Sequence, residues 1–205
     1  MRAGGKLLVF SKAAVPGKVK TRLAKDIGDE AACEIHKLLV DRTLDTGSQS
    51  QFSDKELWCT PDLSDPFLND VAEPYGFSMR VQDGADLGER MSNALTDALK
   101  THLWAVLVGT DCPALTACDL DEVSQALASG TEVAIGPALD GGYYLIGLTE
   151  PVPELFSGVS WGQSSVLETT RHKVGQLGLS SKEFNEYRDI DYLKDILEYR
   201  DLLDF

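Results

Sequence analysis

The sequence predicts one three-layer α/β/α domain, residues 1–205, in which helices cover both faces of a mostly parallel β-sheet. Three observations lead to this fold class. Short apolar runs alternate with segments of helical periodicity, which is typical of consecutive β-α-β units. The most apolar run, LWAVLVG at residues 103–109, has the composition of a central strand that is buried on both faces. A chain of 205 residues with 43% hydrophobic residues can also bury one such core.

The first half of the chain predicts three strands and three helices. Each strand is a short apolar run bounded by turn residues, and each helix repeats apolar side chains every three or four positions. In order, these are a strand at 6–10, a short helix at 19–27, a helix from about 29, strands at 55–60 and 77–82, and a helix from 86. Gly28 is expected to end the short helix, and Asp86 is expected to cap the third helix.

The second half predicts three further strands and three further helices. They are a strand at 103–109, a helix that carries Leu120, Val123 and Leu127, strands at 132–137 and 143–148, and helices near 164–174 and 192–203. Ligands of parallel α/β sheets bind beyond the carboxyl ends of the strands. We therefore expect the functional residues in the loops that follow strands 6–10, 103–109 and 132–137.

Charge is separated along the chain. Of the 19 Lys and Arg residues, seven lie within the first 25 positions, and the remaining 180 residues carry 12 bases against 33 acids. The formal net charge of the whole chain is −14. This separation predicts a local anion-binding site on an otherwise acidic protein.

Composition argues against several other functions. An acidic chain lacks the broad basic surface that nucleic acids require, so no nucleic-acid partner is expected. No apolar run approaches the roughly 20 residues of a membrane span, and the run at 7–10 is too short for a signal peptide, so a cytoplasmic location is expected. The four cysteines form no CxxC pair and the three histidines no HExxH motif, which predicts neither a zinc site nor a redox site. Sequence patterns leave the oligomeric state undefined.

The basic stretch after the first strand is the candidate anion site. Its candidate nucleotide-binding residues are Lys12, Pro16, Gly17, Lys18, Lys20 and Arg22. Backbone N–H groups at the point where a strand leads into a helix favour phosphate oxygens, and Lys or Arg side chains neutralise them. The stretch is not a Walker A loop, because Lys18 is followed by valine rather than serine or threonine. The alternative is a solvated basic loop without a ligand. The spacing of the basic residues favours neither the anion site nor this alternative.

Asp111 stands just beyond the strand at 103–109, at the same expected edge of the sheet. A carboxylate there would connect a divalent ion, Mg²⁺ or Mn²⁺, to a diphosphate, whereas turn capping alone is the equally supported alternative. Asp140 precedes two glycines that would let the backbone approach a ligand closely, and it would act as a metal ligand or as a base. The same Asp-Gly-Gly sequence is also a hairpin signal, so a simple chain reversal is the alternative.

Two further segments carry polar groups next to predicted helices. Asp189 and Asp191 precede the last helix, and their spacing favours Asp191 as its N-cap and Asp189 as a solvated residue. Gln82, Gly88 and Arg90 flank the start of the third predicted helix. Gln82 and Arg90 are the candidates for recognising the base or the sugar of a nucleotide, and Gly88 is a candidate nucleotide-binding residue. The alternative is that this segment only caps the helix through Asp86.

Taken together, five segments resemble a bacterial family of uncharacterised glycosyltransferase-A-like proteins, whose members are usually described as candidate nucleotide-diphospho-sugar transferases. The segments are VFSKAAVPGKVKTRLA, DLGERM, GTDCPAL, PALDGGYYLIGL and the WG at 161–162. They occur in the family's order from Leu7 to about Val166. Two positions depart from the usual pattern, since Ala14 stands where proline is commoner and Gln163 stands where threonine is frequent.

The resemblance implies a nucleotide-diphospho-sugar transferase fold of the glycosyltransferase-A type, similar to sugar-nucleotide and molybdopterin-cofactor nucleotidyltransferases. In those proteins an Asp-x-Asp sequence near the C-terminus often supplies a second metal ligand. The resemblance therefore draws attention to both Asp189 and Asp191, and it implies a metal site formed by Asp111 and Asp191. GTDCP is not itself a full Asp-x-Asp motif, so the remaining ligands must come from elsewhere in the chain.

Three functional hypotheses follow. The first is a metal-dependent transferase that uses a nucleotide-diphospho-sugar donor. In it, Lys18, Lys20 and Arg22 stabilise the leaving nucleoside diphosphate, and Asp140 deprotonates an unidentified acceptor. The second is a nucleotidyltransferase that releases pyrophosphate from a nucleoside triphosphate. The third is a nucleotide-binding module without catalysis, which the presence of three candidate carboxylates near a polyphosphate disfavours.

Overall fold

The computed structural model describes residues 2–199, which form a seven-stranded sheet with helices on both faces. The strands are β1 (Ala3–Lys12), β2 (Asp54–Thr60), β3 (Ser78–Val81), β4 (His102–Gly109), β5 (Val133–Pro137), β6 (Tyr143–Leu148) and β7 (Ser181–Glu183). The helices are α1 (Ala24–Ile27), α2 (Asp29–Gln49), α3 (Pro66–Ala72), α4 (Leu87–Leu99), α5 (Ala117–Ala128), α6 (Val166–Leu177) and α7 (Leu193–Glu198). The predicted α/β architecture with a mostly parallel sheet is confirmed.

β1 and β4 lie side by side at the centre of the sheet, whose strand order is β3-β2-β1-β4-β6-β5-β7. β6 is antiparallel to both of its neighbours, and the other paired strands are parallel. β6 therefore begins at the edge where the parallel strands end. Phe10 of β1 is paired with Gly109 at the end of β4, and Lys12 is paired with Thr60 at the end of β2. This register brings the loops after β1, β2 and β4 together at one edge of the sheet.

Alternate side chains of β1 enter the two hydrophobic cores on either side of the sheet. Leu7 and Val9 pack with residues of α2, α3 and α5, whereas Leu8 and Phe10 pack with residues of α4 and α6. All four side chains are at most 8% exposed. Burying a large apolar side chain stabilises the fold by about 1.5–3 kcal/mol relative to leaving it exposed. The strands that carry the loops are therefore fixed from both faces.

The short helix expected at 19–27 is wrong for most of its length. Only Ala24–Ile27 is helical, because Lys20 has a φ of +46° and this left-handed conformation interrupts a helical path. α3 and β7 are short elements that the periodicity does not predict. The last predicted helix begins at Leu193, and its predicted continuation beyond residue 199 lies outside the described residues.

The Asp-Gly-Gly sequence forms the turn between β5 and β6, which confirms the hairpin interpretation. Gly141 N donates to Ala138 O at 3.0 Å, and Ala138 N donates to Gly142 O at 3.0 Å. Asp140 Oδ1 accepts a hydrogen bond from Gly142 N at 2.8 Å. Gly141 has a φ of +88°, a conformation that favours glycine. One carboxylate oxygen of Asp140 therefore helps to hold the turn.

The longest described helix is α2, with 21 residues. It exposes charged side chains, among them Asp29, Glu30 and Glu34. No helix within residues 2–199 is both long enough and apolar enough to cross a membrane.

Candidate functional site

A cleft of about 570 Å³ opens at the edge of the sheet where β1, β2 and β4 end and β6 begins. Its volume lies in the range of small-molecule sites, roughly 300–1,000 Å³. The polar side chains that line this main cleft include Lys12, Lys20, Arg22, His36, Gln82, Arg90, Asp111, Asp189 and Asp191. The fold thus brings residues from both ends of the chain to the loops in which a site is expected.

Lys20 joins three separate parts of the chain at the main cleft. Its side chain is 4% exposed, and its ammonium donates to Asp111 Oδ1 at 2.5 Å and to Ile190 O at 2.7 Å. Among residues 2–199 it is the only non-glycine residue with a positive φ. A backbone conformation of this kind costs on the order of 1–3 kcal/mol and is concentrated at functional sites. The basic loop therefore delivers one buried cation to the carboxylate that follows β4.

Asp111 and Asp189 lie in the same cleft, but their pKa values shift in opposite directions. Burial is the largest single effect on Asp111 and disfavours its ionised form, yet the nearby basic groups, Lys20 first and then His36 and Lys12, together lower its pKa. Burial, followed by the negative charge of Asp111, raises the pKa of Asp189 to about 8. Asp189 Oδ1 is buried and accepts no hydrogen bond from the described residues. The expectation that Asp189 is solvated is therefore wrong.

Replacing Asp189 with asparagine is expected to stabilise the metal-free protein at alkaline pH. Because the pKa of Asp189 is about 8 in the folded state, its proton favours the folded state at low pH. This advantage is lost as the pH rises from the unfolded value of about 4 towards about 8. The stability gap between Asp189→Asn and the wild type should therefore widen over this window, by at most about 1.4 kcal/mol per pH unit.

Urea unfolding in EDTA at about pH 5, 7 and 9 measures this gap. Asp26→Asn, an exposed aspartate on α1, is the control variant. A gap between Asp189→Asn and the wild type that does not change with pH would contradict the prediction.

Arg22 is held at the main cleft by the segment that precedes α7. Its Nη1 donates to Asp191 Oδ2 at 2.5 Å, and its guanidinium lies 5.9 Å from the centroid of the Tyr192 ring. Tyr192, rather than Asp191, is the residue at the N-cap of α7, so the expected capping role of Asp191 is wrong. The carboxylate of Asp191 instead pairs with a cation of the basic loop.

Gln82 and Arg90 both line the main cleft, and each is anchored to the backbone. Gln82 Nε2 donates to Ser11 O at 3.1 Å and to Trp58 O at 2.9 Å. Arg90 Nε donates to Gly84 O at 3.0 Å. These bonds fix both side chains before any ligand arrives, and the remaining N–H groups of Arg90 are available to an anion.

Gly88 lies near the start of α4 and does not line the main cleft. A Cβ at this position would lie 2.5 Å from Trp161 Nε1 and 2.8 Å from Phe156 O. The close packing of Trp161 and Phe156 against α4 therefore leaves no room for a side chain at position 88.

The basic loop divides into residues that reach the main cleft and residues that do not. Lys12 lines the cleft, whereas Pro16, Gly17 and Lys18 lie outside its lining. His36 of α2 is buried, and its Nε2–H donates to Lys12 O at 3.0 Å. Burial lowers the pKa of His36, so the neutral imidazole keeps this bond. Sequence reasoning missed His36, because an isolated histidine on an apolar helix face belongs to no motif.

Asp140 lies outside the main cleft. It lines a smaller, adjoining cleft, which shares Arg22, Asp189 and Asp191 with the main cleft. Within residues 2–199, no three Asp, Glu, His or Cys side chains gather into a complete metal site. The carboxylates that do line the main cleft are Asp111, Asp189 and Asp191, and the last of these is paired with Arg22.

Comparisons with known proteins agree with this fold. Residues 43–163 match a family described as uncharacterized protein conserved in bacteria, DUF2064. Among solved structures, the protein is similar to a candidate nucleotide-diphospho-sugar transferase from Desulfovibrio desulfuricans G20. The two share 28% identity with a TM-score of 0.87, and the match covers 98% of this chain and 94% of that chain.

Two further structures show the same fold at lower identity. One is CMP:2-keto-3-deoxy-manno-octonic acid synthetase complexed with CTP, with 10% identity, a TM-score of 0.61 and coverage of 98% of this chain and 99% of that chain. The other is the manganese complex of Rv0371c from Mycobacterium tuberculosis H37Rv, with 16% identity, a TM-score of 0.58 and full coverage of both chains. The fold is therefore shared by nucleotide-diphospho-sugar transferases and nucleotidyltransferases.

One curated protein also matches part of the sequence. Over 126 residues, 52% of this chain, the identity to mouse CDK5 regulatory subunit-associated protein 2 is 26%. The match spans 7% of the length of that protein. A match of this extent carries no conclusion about activity.

Proposed function

The chain belongs to the DUF2064 family of bacterial proteins. We propose that it transfers the sugar of a nucleotide-diphospho-sugar donor to an acceptor hydroxyl. The observation that carries this proposal is the ion pair between the buried Lys20 and the half-exposed Asp111 beyond the ends of β1 and β4. Such a pair offers a cation for diphosphate oxygens and a carboxylate for an accompanying metal ion. The 28% identity to the candidate transferase from Desulfovibrio supports this reaction class.

The cations of the main cleft would bind the diphosphate. Lys12, Lys20, Arg22 and Arg90 all line it. During transfer, the bond between the anomeric carbon and a diphosphate oxygen breaks, and negative charge develops on that oxygen. Cations that are already in place stabilise this charge without solvent reorganisation. Lys20 meets this condition best, because its side chain is buried and is held in place by hydrogen bonds to Asp111 and to the carbonyl of Ile190.

Asp111 and Asp189 are the residues that would hold a divalent ion. Mg²⁺ is commonly bound by one or two carboxylates together with waters and substrate phosphates, so two carboxylates are sufficient. Asp111 and Asp191 each pair through one oxygen with a cation, Lys20 and Arg22, whereas Asp189 Oδ1 is buried and has no partner among the described residues, which supports Asp189 as a further ligand. Manganese in the Rv0371c structure, which shares the fold, supports a metal here. When bound, the ion would neutralise diphosphate charge.

Asp140 is the proposed base. Its Oδ1 accepts the hydrogen bond from Gly142 N, which leaves Oδ2 to accept the proton of the acceptor hydroxyl as the hydroxyl oxygen attacks the anomeric carbon. Asp140 lies in the adjoining cleft with Arg22, Asp189 and Asp191. Asp140 would therefore lie on the side of the donor where the two clefts meet.

Thermal unfolding with a panel of nucleotides tests this function. The panel contains nucleoside diphosphates, triphosphates and nucleotide sugars, each with and without Mn²⁺ or Mg²⁺. A ligand at about 100 times its dissociation constant should stabilise the protein by about 2.7 kcal/mol. We expect a metal-dependent shift with a diphosphate or a nucleotide sugar, and we expect Asp111→Asn to lose it.

The matched control is Asp26→Asn, which removes an exposed carboxylate outside the cleft lining. It should keep the full shift, and each variant is compared with its own ligand-free form. A preference for triphosphates, with release of pyrophosphate in the presence of an acceptor, would replace sugar transfer by nucleotidyl transfer. No shift with any ligand would overturn the proposed function.

A further inference from the structure

The cleft that adjoins the main cleft has a volume of about 240 Å³. We call it the side cleft, and it is formed by segments 139–140 and 188–195 together with Arg22. Arg22, Asp189 and Asp191 line both clefts. A molecule in the side cleft would therefore reach the groups that are proposed to hold the diphosphate and the metal.

The charges of the side cleft disfavour an anionic occupant. Arg22 pairs with Asp191 at 2.5 Å, and Arg188 Nε lies 2.8 Å from a glutamate carboxylate of α7. These two cations are therefore already neutralised, whereas Lys194, which also lines the side cleft, forms no ion pair within residues 2–199. Arg22, Arg188 and Lys194 face four aspartates of the lining, Asp140, Asp189, Asp191 and Asp195. The side cleft thus offers no excess positive charge that would attract a phosphate group.

Beside these carboxylates, the side cleft exposes apolar surface. Leu139 is 50% exposed and Tyr192 is 44% exposed. The Arg22 guanidinium and the Lys194 ammonium lie 5.9 Å and 5.6 Å from the centroid of the Tyr192 ring, and these contacts hold the ring in place. The result is a fixed aromatic face and a leucine next to groups that accept hydrogen bonds.

We propose that the side cleft is the acceptor subsite and that it takes a neutral polyhydroxylated molecule, a sugar or a polyol. The C–H face of such a molecule would pack on Leu139 and Tyr192, while its hydroxyls donate to Asp140 and Asp189. A neutral acceptor does not need the excess positive charge that a phosphorylated one would require, and the lining has none. One hydroxyl would lie at the junction with the main cleft, where Asp140 accepts its proton. This inference rests on the proposed function, because the donor in the main cleft defines what an acceptor is.

Saturation-transfer NMR on the full chain tests the inference with named probes. Glycerol, glucose, mannose and galactose are the neutral probes, and glucose 6-phosphate is the anionic one. We expect saturation transfer to at least one neutral probe and a several-fold weaker signal for glucose 6-phosphate. Leu139→Ala and Tyr192→Ala should each reduce the neutral signal several-fold. Tyr192→Phe, which keeps the aromatic face, should preserve it.

Leu103→Ala is the matched control, because Leu103 is 49% exposed and lies at the start of β4, at the opposite edge of the sheet. It should leave the signal unchanged. Any one of three results would overturn the inference. They are no saturation transfer to any neutral probe, an equal loss of signal in Leu103→Ala, and a stronger signal from glucose 6-phosphate than from the neutral probes. The nucleotide-induced thermal shift is measured on the same wild-type samples. If that shift is present while no neutral probe binds, the acceptor subsite is wrong and the proposed function stands.

Discussion

Replacing Lys20 with alanine is expected to weaken nucleotide binding by about 10- to 100-fold, because a hydrogen bond to a charged group contributes about 1.5–3 kcal/mol. The buried ammonium of Lys20 is the cation that lies directly against Asp111. Its removal would also leave the ionised Asp111 without its counter-ion, next to Asp189. Isothermal titration calorimetry with the nucleotide that gives the largest thermal shift measures the loss.

Lys18→Ala is the matched control for this prediction. Lys18 and Lys20 are both lysines and lie two positions apart, but Lys18 is exposed and lies outside the lining of the main cleft. The Lys18 variant should therefore change the affinity by less than about 2-fold, as expected for a screened surface charge. Equal losses in the two variants would mean that the loop attracts nucleotides only through its overall charge.

Replacing Gly141 with alanine is expected to destabilise the protein by about 2–5 kcal/mol, the sum of an unfavourable backbone conformation and an overpacked contact. Gly141 has a φ of +88°, and a Cβ there would lie 2.1 Å from Ser164 O. The atom in the way belongs to the backbone, so it cannot turn aside as a side chain would. Gly141 O also accepts a hydrogen bond from Leu167 N at 2.9 Å, so displacement of the turn would disturb the start of α6.

The neighbouring glycine provides the control. Gly142 does not have a positive φ, and the nearest atom to a Cβ there is Asp140 Oδ1 at 3.1 Å. Because this atom belongs to an exposed side chain, Gly142→Ala should cost less than about 1 kcal/mol. Urea unfolding of the two variants measures the difference. A similar loss of stability in both would show that the contact with Ser164 does not govern this turn.

The order of strands and helices follows from local patterns in the sequence. Apolar runs and helical periodicity predict β1, β2, β4, β5 and β6 within a few residues, because the alternation of buried and exposed side chains is a local property of a strand or helix. The short helix predicted at 19–27 is the exception. Val19, Leu23 and Ile27 have helical spacing, but Lys20 adopts a left-handed conformation that interrupts the helix. The side chain of Lys20 contacts Asp111 and Ile190, which are distant in the sequence.

By itself, the sequence determined the fold class, the edge of the sheet at which the site lies and most of the charged residues that reach it. Only the tertiary structure decided which of these residues lie together. It places Lys20 but not Lys18 in the lining of the main cleft, pairs Asp191 with Arg22, and places Asp140 in the side cleft. It also buries Asp189 beside Asp111, which no spacing rule indicates. Pairing and desolvation depend on distances between residues that are 91 to 170 positions apart in the chain, and local sequence patterns carry no information about such distances.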